Sequence, residues 1–132
     1  MKRNLYLLDT HALIFWCNQD SVSNEFIQFF DKQDQLGNVL VSPISLWEVA
    51  LLVHKGKLKI DDIDEWRKEL LANTNLGLLE PSVSEMIESV QLPDYHKDPF
   101  DRLLIVQANH SNASLVTKDE NICKYAVDVF WL

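Results

Sequence analysis

The sequence predicts one α/β domain with a mostly parallel central sheet of about five strands and helices on both faces. Short apolar runs alternate along the chain with segments of helical periodicity, the order expected of strand–helix–strand units. Serine, aspartate and proline precede several of the helical segments, where they favour helix initiation. The 132 residues, 47% hydrophobic and 24% charged, match the size and composition of a single globular domain spanning 1–132.

The first half of the chain contains five predicted elements. The apolar run LYLL ends in Asp-Thr, as expected of a buried strand leading into a helix. Ser42-Pro43 opens a later helix, because proline suits the first helical position, and Gly56 is suited to end it. The predicted elements are a strand at 5–8, helices at 12–17 and 23–33, a strand at 39–41 and a helix from 43 to about 55.

The second half continues the alternation. Three acids open a segment whose apolar residues recur at helical spacing, and Ser82 and Asp98-Pro99 open two further helices. The predicted elements are a helix at 61–71, a strand at 76–79, a helix at 82–90, a helix from 98 to about 109, a strand at 114–117, a short helix at 121–124 and a strand at 127–131.

The net charge of −8 argues against broad electrostatic contact with nucleic acid, which usually requires a basic patch. It allows a small footprint centred on metal ions, whose charge reverses the local field. No apolar run approaches the roughly 20 residues that span a bilayer, and Asp9 and His11 interrupt the stretch that a secretion signal would need. Two cysteines are too few for a disulfide framework, so reduced thiols, a cytoplasmic location and no membrane partner are expected.

Four carboxylates, widely separated along the chain, share one kind of placement. Asp9 and Asp119 follow predicted strands, whereas Glu48 and Asp101 lie near the starts of predicted helices. Parallel strands end at one edge of a sheet, so these side chains are expected to gather there. Close carboxylates repel one another unless a cation or bound protons neutralise them, which favours a divalent metal site.

Each of these acids also fits an ordinary structural role. Asp9 suits a helix cap equally well, and Asp119 is typical of a loop. Glu48 stands three residues after Ser45, the spacing of a capping box. With Ser42 as the cap, however, Glu48 would lie in the second turn among apolar neighbours, where an unpartnered acid is unfavourable, and this alternative favours function.

The motif HKDPFDR holds two candidate acids. Asp98 before Pro99 is a natural helix cap, which makes Asp101 the third helical residue and leaves both acids near the positive end of the helix. Asp101 also immediately precedes an apolar segment and is expected to face the other strand ends. Placement alone thus supports a metal-binding α/β domain and no more.

Four segments resemble a known family. They are LLDTHALIFW, SPISLWEVALLVHKGKL, HKDPFDRLLIVQA and LVTKDENICKYAVDVFW, and in order they resemble the motifs of the PIN-domain ribonucleases, in particular the VapC-type toxins of bacterial toxin–antitoxin pairs. The resemblance runs nearly the full length of the chain. The sequence departs from it near Leu52, where relatives commonly carry lysine, and at Ile122, where an aromatic residue is frequent; both departures bear on partner contacts and RNA choice.

The resemblance implies a metal-dependent endoribonuclease that hydrolyses phosphodiester bonds of RNA. Its metal-binding and catalytic acids match Asp9, Glu48, Asp101 and Asp119, which would hold one or two Mg²⁺ or Mn²⁺ ions, with Asp98 as a supporting or alternative ligand. The resemblance also implies a small VapB-like antitoxin as partner and a homodimer. The negative net charge suits such an antitoxin better than extended RNA binding.

Polar side chains beside these acids are candidate substrate contacts, namely Thr10, Ser45, Arg102, Thr117 and Lys118. The three hydroxyls could bind a ligand water, a carboxylate or the phosphate, although each is also typical of a cap or turn. The two basic residues are candidate phosphate contacts, with a solvated surface charge as the alternative. The neighbouring His11 and His96, and the four tryptophans, fit structural packing better than chemistry.

Three other classes compete with this interpretation. A phosphoacceptor receiver-like domain also places acids, Thr and Lys at strand ends, but it needs paired acids after the first strand and an acid at the end of a middle strand. This chain lacks both, since its middle strand at 39–41 ends in Ser42-Pro43. A haloacid-dehalogenase-like phosphatase needs a second carboxylate two residues after the first, where His11 stands. A catalytically silent PIN-like binding module would keep the fold without needing all four carboxylates.

Overall fold

A computed structural model, which describes residues 4–132, contains one five-stranded sheet. The strands are β1 (Leu5–Leu8), β2 (Val39–Val41), β3 (Gly77–Leu78), β4 (Ala113–Val116) and β5 (Val129–Phe130). They lie in the order β3-β2-β1-β4-β5, and every pairing is parallel. The α/β class and the five strands are confirmed, and the sheet is wholly rather than mostly parallel. The first three residues of the predicted domain lie outside the described residues.

Six α-helices and one short 3₁₀ helix connect the strands within residues 4–132. They are α1 (Thr10–Asn18), α2 (Asn24–Gln35), α3 (Pro43–His54), α4 (Ile63–Asn73), α5 (Val83–Val90), α6 (Pro99–Ser111) and the 3₁₀ turn Ile122–Lys124. Each corresponds to a predicted helix. The bounds differ mainly where the predicted first residue is instead the cap, as at Ser23, Ser82 and Asp98.

The two edge strands are shorter than predicted. The sequence predicts strands at 76–79 and 127–131, whereas β3 and β5 each have two residues. An edge strand has a pairing partner on one side only, which limits its ladder. Leu76 and Trp131 are apolar because their side chains pack against the core, not because their backbone extends the sheet.

The core forms two layers, one on each face of the sheet. Alternate residues of β1 point to opposite faces, with Tyr6 and Leu8 on one and Leu7 on the other. The first face packs against α1 and α2, where Phe26 and Phe30 are fully buried. The second packs against α6, whose side chains Leu103, Leu104, Ile105 and Ala108 belong to the same cluster as Leu7. Helices therefore cover both faces, as predicted.

The strand order creates a topological switch between β1 and β4. From β1 the chain adds β2 and β3 on one side, then crosses the sheet through α6 to place β4 and β5 on the other. Crevices for ligands form at such a point, outside the carboxyl ends of the strands. The receiver-like interpretation is wrong, because the flavodoxin-like order of those domains, 2-1-3-4-5, differs from the one found here.

Helix α3 begins as the Ser42-Pro43 interpretation predicted. The Ser42 hydroxyl accepts a hydrogen bond from the Ile44 N–H, and Pro43 is the first helical residue. The alternative capping box between Ser45 and Glu48 is not formed, and Glu48 lies in the second turn. Since α3 packs against both α1 and α6, its Glu48 side is held next to the switch point.

None of the helices within residues 4–132 combines the length and the apolar character needed to cross a membrane.

Truncation of Phe30 tests the packing of the first core layer. Phe30 is fully buried, with ring centroids 5.7 Å from Tyr6 and 4.6 Å from Phe26. Phe30→Ala should lower the free energy of unfolding by about 3–5 kcal/mol in urea denaturation. Leu132→Ala removes a side chain that is 42% exposed and should change it by less than about 0.5 kcal/mol. Equal effects of the two variants would contradict this assignment of the core.

Candidate metal centre

Four acids converge at the carboxyl edge of the sheet beside the switch point. Asp9 follows β1, Glu48 projects from α3, Asp101 lies in the first turn of α6, and Asp119 follows β4. Asp101 is the common neighbour: the charges of Asp98, Asp9 and Glu48 all act on its carboxylate. Asp119 joins the group through a histidine that contacts it and Asp101 together. The placement predicted from the sequence thus brings all four acids, and Asp98, into one region.

Asp9 fills both of the roles that its sequence position allowed. Its Oδ1 caps α1 by accepting a hydrogen bond of 2.7 Å from the Ala12 N–H, and the carboxylate is almost entirely buried. The Thr117 hydroxyl also hydrogen-bonds Asp9, while Thr117 Oγ1 accepts the Asp119 N–H at 3.1 Å. Thr117 therefore links the acids that follow β1 and β4, and the cap orients a carboxylate that remains part of the cluster.

Glu48 is oriented by Thr10, the first residue of α1. The Thr10 hydroxyl donates to Glu48 Oε1 at 2.5 Å, which bridges α1 and α3. Ser45 lies one helical turn before Glu48 on the same side of α3. Its hydroxyl is fully buried and has no hydrogen-bond partner among the described residues. An unsatisfied buried hydroxyl is unusual in a native protein and indicates a polar partner such as a water or a ligand.

His96 connects Asp101 and Asp119. Its Nε2 lies 2.9 Å from Asp119 Oδ2 and 3.1 Å from Asp101 Oδ2, and the imidazole is only 13% exposed. One ligand atom from each of these residues lies within 4.8 Å of the others, close enough to surround one ion. The sequence interpretation assigned His96 to structural packing and missed this position. The signal that could have found it is the motif itself, since His96 stands two residues before the cap Asp98.

Burial and mutual repulsion raise the pKa values of the acids, whereas hydrogen bonds lower them, and the balance differs from one acid to the next. Burial, reinforced by the charges of Asp98 and Asp9, raises the pKa of Asp101 to about 7. Burial also raises the pKa of Asp9, against the Ala12 and Thr117 hydrogen bonds that lower it. At Asp119 partial burial opposes ionisation, but hydrogen bonds from His96 and the Asn121 N–H outweigh it and lower the pKa. The cluster therefore combines an ionised rim with buried acids that tend to keep protons.

Arg102 is neither a solvated surface charge nor free to reach a phosphate. The residue is buried, and its five N–H donors are all used by backbone carbonyls. The acceptors are the carbonyls of Ser89, Val90, Leu92, Pro93 and His96, at 2.8–3.2 Å. Its sequence signal resembled that of any exposed arginine, because carbonyl acceptors leave no trace in the side-chain pattern. Arg102 holds the segment between α5 and α6 in place.

Lys118 and the tryptophans occupy different surroundings. Lys118 is exposed, with Nζ 5.0 Å from the Phe15 ring centroid and 5.7 Å from that of Trp131. Trp16 is buried and donates to Asp31, and Trp66 packs against the same core layer, in agreement with the expected packing roles. Trp47 differs from them because it is 60% exposed.

The fold is similar to that of several solved structures. A chain of VapBC2 from Rickettsia felis, crystallised with a DNA fragment from their promoter, has a TM-score of 0.70 and 17% identity, covering 95% of this chain and 96% of that one. DNA-bound VapBC from Salmonella typhimurium has a TM-score of 0.69 and 14% identity, covering 96% of this chain and 97% of that one. A toxin–antitoxin complex from Klebsiella pneumoniae has a TM-score of 0.62 and 20% identity, covering 95% of this chain and 96% of that one. At these identities the likeness establishes the fold.

Sequence comparison gives the family. No curated protein sequence matches this chain. The PIN domain family, however, matches residues 6–128, a span that contains β2, β3, β4, all of β1 except Leu5, and each of the four acids, while β5 lies just beyond it. The chain therefore belongs to the PIN domain family.

Proposed function

We propose that this protein is a Mg²⁺- or Mn²⁺-dependent endoribonuclease and the toxin of a VapBC-type toxin–antitoxin pair. The observation that carries the proposal is the convergence of Asp9, Glu48, Asp101 and Asp119 beside the β1–β4 switch point in a chain of the PIN domain family. A binding module would not need to bury acids against one another at such an unfavourable electrostatic cost. Binding of a catalytic cation would account for the cluster of acids at this edge of the sheet.

The donor set fits a hard divalent cation. Carboxylate oxygens are the ligands that Mg²⁺ and Mn²⁺ prefer, and the cluster contains no cysteine among the described residues. Burial raises the pKa of Asp101 and Asp9, so a cation between them would relieve both desolvation and repulsion. The buried, unsatisfied Ser45 hydroxyl on the Glu48 side of α3 is a further sign of a polar occupant. Four acids can hold one or two ions.

When bound, the cation would supply an activated water and neutralise charge on the phosphate. The residues of the chain orient and support the site. Thr10 fixes the Glu48 carboxylate, and Thr117 fixes that of Asp9. Lys118 precedes Asp119 and keeps an exposed ammonium group, so it is the proposed contact for a phosphate oxygen. No side chain has to act as a nucleophile.

The proposed antitoxin would bind in an apolar groove between α3 and α4. This groove has a volume of about 430 Å³, and its lining includes Leu46, Trp47, Trp66, Leu71 and Leu78. The similar folds come from toxin–antitoxin structures. A net charge of −8 favours a partner segment with basic side chains, one of which could reach Glu48, the residue after Trp47.

A homodimer would use the outer face of α5. Val83, Met86, Ile87 and Val90 recur at helical spacing and are 72%, 44%, 57% and 77% exposed. They form one apolar stripe, while α5 packs its other side against α6. Monomeric proteins rarely expose such a continuous stripe, and a two-fold axis would pair it with itself.

Cleavage of RNA tests the proposed reaction. Purified protein should cleave RNA with Mg²⁺ or Mn²⁺ and lose activity with a chelator. Asp9→Asn and Asp119→Asn should each lower the rate by more than roughly 100-fold, because losing a charged ligand removes several kcal/mol of transition-state stabilisation. Asp61→Asn changes an exposed acid outside the cluster and should keep the parent rate. A folded parent that binds cation yet leaves all RNA intact would favour the silent binding module.

The pH dependence of stability tests the buried acid. Folded Asp101 keeps its proton up to about pH 7, whereas the unfolded chain releases it near pH 4. The folded state therefore binds more protons in this window, and stability of the cation-free protein should fall as pH rises from about 4 to about 7. Asp101→Asn should reduce this fall, leaving the part owed to the raised pKa of Asp9, and should be more stable at pH 8 by up to roughly 4 kcal/mol.

Urea denaturation of both proteins across this range, in chelator, measures the difference. Saturating Mg²⁺ should stabilise the parent at pH 8 and not the variant to the same extent. Parallel stability curves for parent and Asp101→Asn would contradict the assignment of the raised pKa to Asp101.

The oligomeric state tests the α5 stripe. Ile87→Lys places a charge in the centre of the stripe, so the protein should sediment as a monomer under conditions where the parent is a dimer. Ser84→Lys adds the same charge to an exposed position of α5 outside the stripe and should leave the dimer intact. Dissociation by both variants, or by neither, would count against this interface.

A further inference from the structure

The loop between α5 and α6 carries a histidine that the proposed ligand set does not use. His96 Nε2 faces the Oδ2 atoms of Asp119 and Asp101 at 2.9 and 3.1 Å. Its Nδ1 lies 3.0 Å from the backbone nitrogen of Asp98. Both ring nitrogens are thus engaged, and each has a partner of a different kind.

These partners fix the tautomer of the ring. The Asp98 backbone N–H can only donate, so Nδ1 must be the acceptor and carries no hydrogen. In an imidazole whose Nδ1 is unprotonated, the hydrogen resides on Nε2. Nε2–H therefore donates to the two carboxylates, and its lone pair is not available to a metal ion.

We propose that His96 is a positioning residue for the cation site: its Nε2–H holds the Asp101 and Asp119 carboxylates, and the imidazole is not itself a ligand. The inference rests on the proposed metal site and adds to it a residue outside the ligand set. Direct ligation through Nε2 would require either an imidazole without any N–H or the loss of the Asp98 hydrogen bond. The first would place a negatively charged ring beside two carboxylates, and the second would break the 3.0 Å hydrogen bond observed here.

At both acids His96 contacts a single carboxylate oxygen, which suits this role. It occupies Oδ2 of each acid, and Oδ1 of Asp101 has no hydrogen bond among the described residues. Oδ1 of Asp119 accepts the Asn121 N–H at 2.8 Å, which fixes the rotation of that side chain from its other end. A hydrogen bond to one oxygen of a carboxylate orients the other and is a recurrent way of supporting metal ligands.

The backbone of His96 is held at both of its polar groups. Its N–H donates to the Tyr125 hydroxyl at 2.9 Å, and its carbonyl accepts from Arg102 Nη1 at 2.9 Å. Tyr125 in turn donates to the Pro93 carbonyl, and Arg102 binds the same carbonyl. The ring is therefore presented from a rigid loop, as precise orientation of a site requires.

Two substitutions separate the carboxylate contact from the support of the loop. His96→Asn keeps an acceptor near the Nδ1 position, where it can receive the Asp98 N–H, but it is too short to donate to the carboxylates. His96→Gln restores a donor near the position of Nε2. His54→Ala changes an exposed histidine at the end of α3 and serves as the control. Far-UV circular dichroism and thermal unfolding report whether each variant folds.

The first measurement is the affinity of the full chain for Mn²⁺, determined from the electron paramagnetic resonance signal of the free ion. His96→Asn should bind about 10–100-fold more weakly than the parent, the usual effect of removing a group that supports a ligand. His96→Gln should recover part of that loss, and His54→Ala should match the parent. Parent-like affinity in folded His96→Asn, or no recovery in folded His96→Gln, would overturn the proposal.

The second measurement does not depend on any variant folding. In protein labelled with ¹⁵N-histidine, long-range ¹H–¹⁵N spectra report which ring nitrogen carries the hydrogen. His96 should show the Nε2–H form both without cation and with saturating Mg²⁺. A change to the Nδ1–H form on adding Mg²⁺ would identify a direct ligand and overturn the positioning role. Failure of the parent to bind either ion would instead reject the metal site of the proposed function, together with this role.

Discussion

Parallel pairing of β1 with β4 decides where every candidate ligand lies. The register sets Leu8 opposite Val116, and the Asp9 N–H continues the ladder by donating to the Val116 carbonyl at 3.1 Å. Asp9 and Thr117 therefore leave the sheet side by side. If β4 ran antiparallel, its last residue would lie at the opposite edge and Asp119 could not meet Asp9. Helices α3 and α6 then bring Glu48 and Asp101 to an edge that the two strands have already defined.

The same atoms serve the fold and the candidate site. Asp9 satisfies an otherwise unpaired N–H in the first turn of α1 while its carboxylate enters the acidic cluster. Asp98 likewise caps α6 and acts electrostatically on Asp101. Capping orients these carboxylates without further supporting residues, because the hydrogen bond to the helix end holds the side chain in a defined direction. Cap and ligand are therefore compatible descriptions of one residue, although the sequence presents them as alternatives.

Much of the fold could be predicted from local patterns. The interior strands β1, β2 and β4 are continuous apolar runs with a clear polar end, and Ser42-Pro43 marks the start of α3, although the capping-box spacing of Ser45 and Glu48 offered a second start. The edge strands were predicted too long because an apolar side chain does not reveal whether its backbone is paired or merely packed, as Trp131 illustrates. The hydrophobic pattern of a sequence indicates which side chains are buried. At the sheet edges a buried side chain does not imply a paired backbone.

The candidate site was predictable only in part, for a related reason. The convergence of the acids follows from strand direction, which the alternation of elements predicts. The roles of Arg102 and His96 depend on partners distant in the sequence: the carbonyls that Arg102 binds lie 6–13 residues before it, and the Asp119 carboxylate lies 23 residues after His96. Backbone acceptors are present at every position, so nothing in the residue types indicates which of them a guanidinium will bind. The contacts of Arg102 and His96 depend on the path of the loop between α5 and α6, which residue types alone do not predict.

The enclosure of Arg102 by five carbonyls has a consequence for how the site assembles and opens. Ser89 and His96 belong to one segment that wraps the guanidinium, and Asp98 and Asp101 begin the helix that carries it. The segment cannot loosen at one point without exposing N–H groups of a buried cation, so it should open as a cooperative unit. Native-state fluctuations of this unit would withdraw His96, Asp98 and Asp101 together. The candidate site would then lose these three side chains together, and states that lack only one of them stay rare in the native ensemble.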